Sequence, residues 1–111
     1  MQQRSVSFAV RRDQLVRQVI PARGAAYEHT CTRIVFEEVA DSIEDFWQQP
    51  FSLPDLRWQA GKAPWTRVDV ALAFLVDCGL IVRSGRRYKR SNDYNGDHAR
   101  RAWDALEKGA E

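Results

Sequence analysis

Apolar residues recur at helical spacing through the middle of this chain. Over residues 27–48, Phe36, Val39, Ala40, Ile43, Phe46 and Trp47 fall on one face of a helix, with Glu37, Glu38, Asp41, Glu44 and Asp45 toward the other. Pro50 stops that helix. Ser52 and Asp55 have the spacing of a capping box, and Phe51 and Leu56 sit at staple positions, which predicts a short second helix over residues 53–60 closed by Gly61. Thr66 with Asp69, flanked by Trp65 and Val70, starts a third helix by the same logic. Val68, Leu72 and Leu75 carry it to Cys78, where Gly79 supplies a left-handed C-cap. Short strands are expected over residues 80–84 and 87–90 around Gly85, followed by a polar loop. A last helix over residues 97–108 buries Ala99, Ala102, Trp103 and Leu106 and carries an Asp104–Lys108 pair outside. Near the start, Val6, Phe8 and Val10 alternate as in a strand. Asp13 can then cap a helix containing Leu15, Val16, Val19 and Ile20 that Pro21 ends.

Length and composition narrow the class. At 111 residues the chain is the size of one domain, and its 12 aromatics are enough to build a core that a disordered chain would lack. No apolar run approaches the roughly 20 residues needed to span a bilayer, and the N-terminus has no signal-type segment. A cytoplasmic protein is expected. Cys31 and Cys78, each within a predicted helix and lacking a CxxC partner, read as buried free thiols.

The net charge of +2 conceals a division into blocks. Residues 1–25 carry +4, residues 26–60 carry −5, residues 61–91 carry +5 and residues 92–111 carry −2. The basic block around the hairpin is where a footprint for phosphates is expected, unless it only pairs with the acidic segments.

Three stretches in that half carry a resemblance. PFSLPDL is similar to the short strand and start of the second helix of a winged helix-turn-helix domain, TRVDVALAFLVDCGLI to its third helix, and VRSGRRYKRS to its wing. The region from about residue 33 to 91 therefore resembles the bacterial regulator members of that superfamily. The resemblance implies a mainly α fold with a small β-hairpin: a three-helix core plus wing over residues 27–91, an N-terminal extension over 1–26, and a C-terminal helix over 92–111. It also implies a third helix in the major groove and a wing reaching phosphates. Carried onto this sequence, Thr66 and Arg67 are the base-contact candidates, and Lys62, Arg86, Arg87, Lys89 and Arg90 the phosphate contacts. Val70, Ala73 and Phe74 make the groove-facing side of that helix apolar. They are covered by another part of the chain, or form a protein interface, or touch thymine methyls.

Catalytic chemistry has little support. His29 and His98 have no nucleophile at a recognisable spacing. Gly61-Lys62 lacks the first glycine and the Ser or Thr of a phosphate loop, and Asp93, Asn95 and Asp97 lack the glycine and glutamate of a calcium loop. The expectation is a non-enzymatic regulator or accessory factor binding double-stranded DNA, by analogy as a homodimer, with no cofactor, no metal and no inferable small-molecule ligand. The alternative is a protein-interaction module of the same kind that does not bind DNA.

Overall fold

In the computed structural model, which describes residues 3–109, the N-terminal residues build a sheet. Strands β1 (Ser5–Arg11), β2 (Gln14–Ile20) and β3 (Tyr27–Thr32) pair antiparallel in the order β1-β2-β3. The helix expected after Asp13 is a strand instead. Asp13 forms the turn with Arg12, both in the left-handed region at φ 62° and 52°. This two-residue turn with both central φ values positive matches the twist of a hairpin and overrides the cap reading. The same sheet takes residues 27–32 away from the long helix expected there.

The remaining elements are α1 (Arg33–Glu44), β4 (Phe51–Ser52), α2 (Leu53–Gln59), α3 (Trp65–Asp77), β5 (Ile81–Ser84), β6 (Arg87–Arg90) and α4 (Gly96–Glu107). The second sheet has the order β4-β6-β5. Among the described residues, six strands in two antiparallel sheets with four helices make this an α/β structure, which corrects the expected mainly α fold with a small β-hairpin. None of the described helices is long and apolar enough to cross a membrane.

Local punctuation explains the second half. Ser52 accepts from the Asp55 N–H at 3.2 Å and the Asp55 carboxylate accepts from the Ser52 N–H at 3.1 Å, a complete capping box. Gly79 at φ 78° lets the Leu80 N–H reach the Leu75 carbonyl at 3.0 Å, closing α3. The start of α3 differs from expectation. Its cap is Pro64 with no side-chain bond, because Asp69 turns to Arg17 rather than back to Thr66.

A chain of aromatic contacts joins the layers. Phe8 of β1 meets Phe74 of α3 at 5.5 Å, Phe74 lies 6.1 Å from Phe36 of α1, and Phe36 lies 4.9 Å from Trp103 of α4. Polar contacts hold α4 down. The Tyr94 hydroxyl donates to the Ala40 carbonyl at 2.6 Å, and Arg100 bridges Glu37 and Asp41. Part of the acidic face of α1 is thus neutralised by α4 rather than left to solvent. Asp104 pairs with Arg33, not with Lys108. Cys31 is buried and Cys78 exposed, and both are free. Burial pushes the Cys31 thiol up to about 12 against the opposing charge of Arg67, whereas Cys78, expected to be buried, is open to solvent at the end of α3.

An arginine in the left-handed region is strained by roughly 1–2 kcal/mol, whereas Asn-Gly suits such a turn. Replacing Arg12 by Asn and Asp13 by Gly should raise stability by about 1 kcal/mol. The midpoint of urea unfolding reads this directly, and a lowered midpoint contradicts the turn geometry.

Candidate nucleic-acid interface

The basic hairpin is organised by its turn. Gly85 has φ 60° while Arg86 does not enter the left-handed region, the pattern of a turn that needs glycine only at its first central position. Ser84 then pairs with Arg87, Arg83 with Tyr88, Val82 with Lys89 and Ile81 with Arg90. Alternation sends Ile81, Arg83, Tyr88 and Arg90 to one face of the sheet and Val82, Ser84, Arg87 and Lys89 to the other. The first face is anchored: Ile81 is buried and Tyr88 stacks 6.0 Å from Phe51. The second is open. Val82 is 58% exposed there, beside a shallow depression of about 710 Å³ that Pro50, Arg87 and Lys89 help to line.

The five hairpin cations differ in their attachments. Arg83 donates from Nε to the Gly85 carbonyl at 2.9 Å and lies 5.6 Å over the Tyr88 ring. Arg90 is half-buried, lies 5.7 Å over Trp47, and its Nε is buried without a partner. Neither pairs with the acidic first helix. Arg86, Arg87 and Lys89 are exposed and form no salt bridge among the described residues. Asp55 is held below the usual carboxylate range by the Ser52 backbone N–H, then by the Ser52 hydroxyl, with a smaller contribution from the Arg87 charge.

A second group of cations surrounds the α2–α3 turn. Lys62 adopts φ 60° and sets its Nζ 4.5 Å over the Trp58 ring. Arg57 donates to the Ala63 carbonyl at 2.9 Å and lies 4.7 Å over Trp65. Trp58 is 69% exposed and Trp65 45% exposed, so the cations shield one face of each ring and leave large apolar area in solvent. Thr66 and Arg67 follow at the exposed start of α3. The structure therefore sets Lys62 on the α2–α3 turn, Thr66 and Arg67 on the first turn of α3, and Arg86, Arg87 and Lys89 on the hairpin. It diverts Arg90 to Trp47.

The rest of the expected groove-facing side of α3 is covered. Val70 is fully buried, Phe74 is 3% exposed and Ala73 is half-buried. The inner face of the β1–β3 sheet packs on this side of the helix, with Phe8 on Phe74, so Val70 and Phe74 follow the first of the three readings, cover by another part of the chain, while Ala73 stays partly open. In that sheet the register aligns Phe8 with Arg17 and Arg17 with His29 on the face that meets α3. Arg17 donates from Nη1 to Asp69 at 3.1 Å and from Nη2 to His29 Nδ1 at 3.2 Å. A guanidinium only donates, so Nδ1 accepts and the ring proton sits on Nε2. This charged residue, placed where an inward apolar side chain is the norm, went unnoticed in the sequence. The one available signal was its interruption of the apolar run Leu15, Val16, Val19 and Ile20. His98 is half-buried in the first turn of α4, where its N–H donates to the Asn95 cap at 2.9 Å. Among the described residues no group of three or more His, Cys, Asp or Glu is arranged to hold a metal.

Comparison with known protein families, with curated proteins and with solved structures finds no match.

The Arg17–Asp69 pair is unequal: the Arg17 side chain is 12% exposed and the Asp69 side chain 43%. Deleting the arginine lets Asp69 rehydrate, whereas neutralising the aspartate strands a buried cation. Asp69→Asn should therefore cost about 2 kcal/mol and Arg17→Met less than that, measured by chemical denaturation. Equal costs, or the reverse order, contradict the arrangement.

Proposed function

We propose that this chain binds double-stranded DNA, as a small regulatory or accessory protein that grips the phosphate backbone. The observation that carries the reading is the hairpin, which presents Arg86, Arg87 and Lys89 exposed and without a salt-bridge partner among the described residues. The element order α1, β4, α2, α3, β5, β6 supports it, because a helix–turn–helix corner stands in sequence beside that hairpin. Lys62 adds a cation at the corner, and the exposed start of α3 offers Arg67 and Thr66 to a base edge or a phosphate. With Val70 and Phe74 buried, only the first turn of α3 is left for reading bases. Affinity then comes mainly from phosphates, and discrimination between sequences is weak.

Fluorescence anisotropy of a labelled random-sequence duplex tests the reading. If Lys62, Arg86, Arg87 and Lys89 each contact a phosphate, log K falls against log salt with a slope of about −3 to −4. Changing Arg86, Arg87 and Lys89 together to Gln should make that slope shallower by about 3. No binding at low salt, or a slope the variant leaves unchanged, rejects the proposal and favours a protein partner.

A further inference from the structure

A recess separate from the outer hairpin face lies between the two sheets. Its cavity is about 290 Å³ and is bounded by Arg4 before β1, Arg17 of β2, Asp69 and Ala73 of α3, and Arg83 and Tyr88 of the second sheet. Three arginines from three parts of the chain thus line one small space with a single carboxylate among them. That carboxylate is occupied, since Asp69 pairs with Arg17 at 3.1 Å. The charges of Arg4 and Arg83 have no salt-bridge partner among the described residues. Arg83 is also held in place: its Nε is bound to the Gly85 carbonyl and its guanidinium lies 5.6 Å over Tyr88, leaving its terminal nitrogens to donate elsewhere.

We infer that this recess binds a phosphate group carried by a small molecule, received between the Arg4 and Arg83 guanidiniums with the Arg17–Asp69 pair beside it. Two uncompensated guanidiniums match the double negative charge of a terminal phosphate, and the fork of each arginine fits two of its oxygens. The volume is at the lower edge of the roughly 300–1,000 Å³ of ligand pockets, enough for a phosphoryl group with a short attachment. A ligand there touches β1, α3 and the hairpin together, so it would tie the hairpin to the N-terminal sheet. This binding is independent of DNA contact by Arg86, Arg87 and Lys89, none of which is placed at this phosphate.

The same chemistry is offered by a nucleic-acid backbone, and the experiment separates the two. The full chain is titrated with inorganic phosphate at constant ionic strength and followed by amide NMR. The amides of Ala73 and Arg83, and of Val6 and Val76, which also line the recess, are expected to shift saturably. Phosphate affinity should fall at least about tenfold in an Arg4→Gln/Arg83→Gln variant. Both side chains are exposed, so the melting temperature of that variant should stay close to that of the parent. Shifts that rise without saturating, or an affinity the variant leaves unchanged, overturn the site. A duplex lacking terminal phosphates is then added to the phosphate complex. Unchanged phosphate binding supports a small-molecule ligand; displacement of phosphate by the duplex overturns that assignment and gives the recess to the DNA backbone.

Discussion

The packing of Phe8 on Phe74 is the contact on which the rest of the structure depends. With it, and with Leu15 and Cys31 fully buried, the N-terminal sheet becomes part of the core, and Phe74 also touches Phe36, which touches Trp103. One line of aromatic contacts therefore connects β1, α3, α1 and α4. Large aromatic side chains at such contacts contribute several kcal/mol each when fully buried, more than any single surface ion pair supplies. The Arg17–Asp69 bond works within that frame. It sets the inward arginine in the middle of β2 against the carboxylate that α3 presents, while the Arg17 Nε stays buried without a partner.

That packing decides what α3 can do. A helix preceded by a turn and followed by a basic hairpin has the order of a DNA-reading element, but here the sheet occupies the middle of its outer side. What is left in solvent is the first turn, with Thr66 and Arg67, and the flank that lines the recess between the sheets. The hairpin escapes this cover because its second face has no layer packed upon it. Cations there stay hydrated and available to a polyanion, whereas those on the anchored face are drawn onto Tyr88 and Trp47.

The second half of the fold was largely legible because most of its boundaries are written in short-range chemistry. Ser52 and Asp55 cap α2, Gly79 closes α3, Gly85 turns the hairpin and Asn95 caps α4, each through a contact with near neighbours in the chain. The N-terminal third was not, for two reasons. Leu15, Val16, Val19 and Ile20 satisfy helical spacing as well as they satisfy a strand whose inward row is broken by Arg17. Asp13 suits a helix cap and a left-handed turn equally, and pairing with β1 and β3 decides between them. Thr66 shows the same limit in reverse: its capping partner Asp69 is claimed by an arginine 52 residues away. The hairpin cations could be counted from the sequence, but only the register separates Arg87 and Lys89 from Arg83 and Arg90. The recess joins residues as far apart in sequence as Arg4 and Tyr88 and leaves no local trace.

Whether the N-terminal sheet covers α3 decides which surfaces are free, and nuclear Overhauser contacts between aromatic rings measure this most directly. With ring centroids 5.5 Å apart, Phe8 and Phe74 should give strong cross-peaks, accompanied by contacts from Phe74 to Phe36. Contacts from Phe74 to Phe36 but none to Phe8, with the Phe74 ring open to a soluble paramagnetic probe, would show the sheet undocked and the groove-facing side of α3 free.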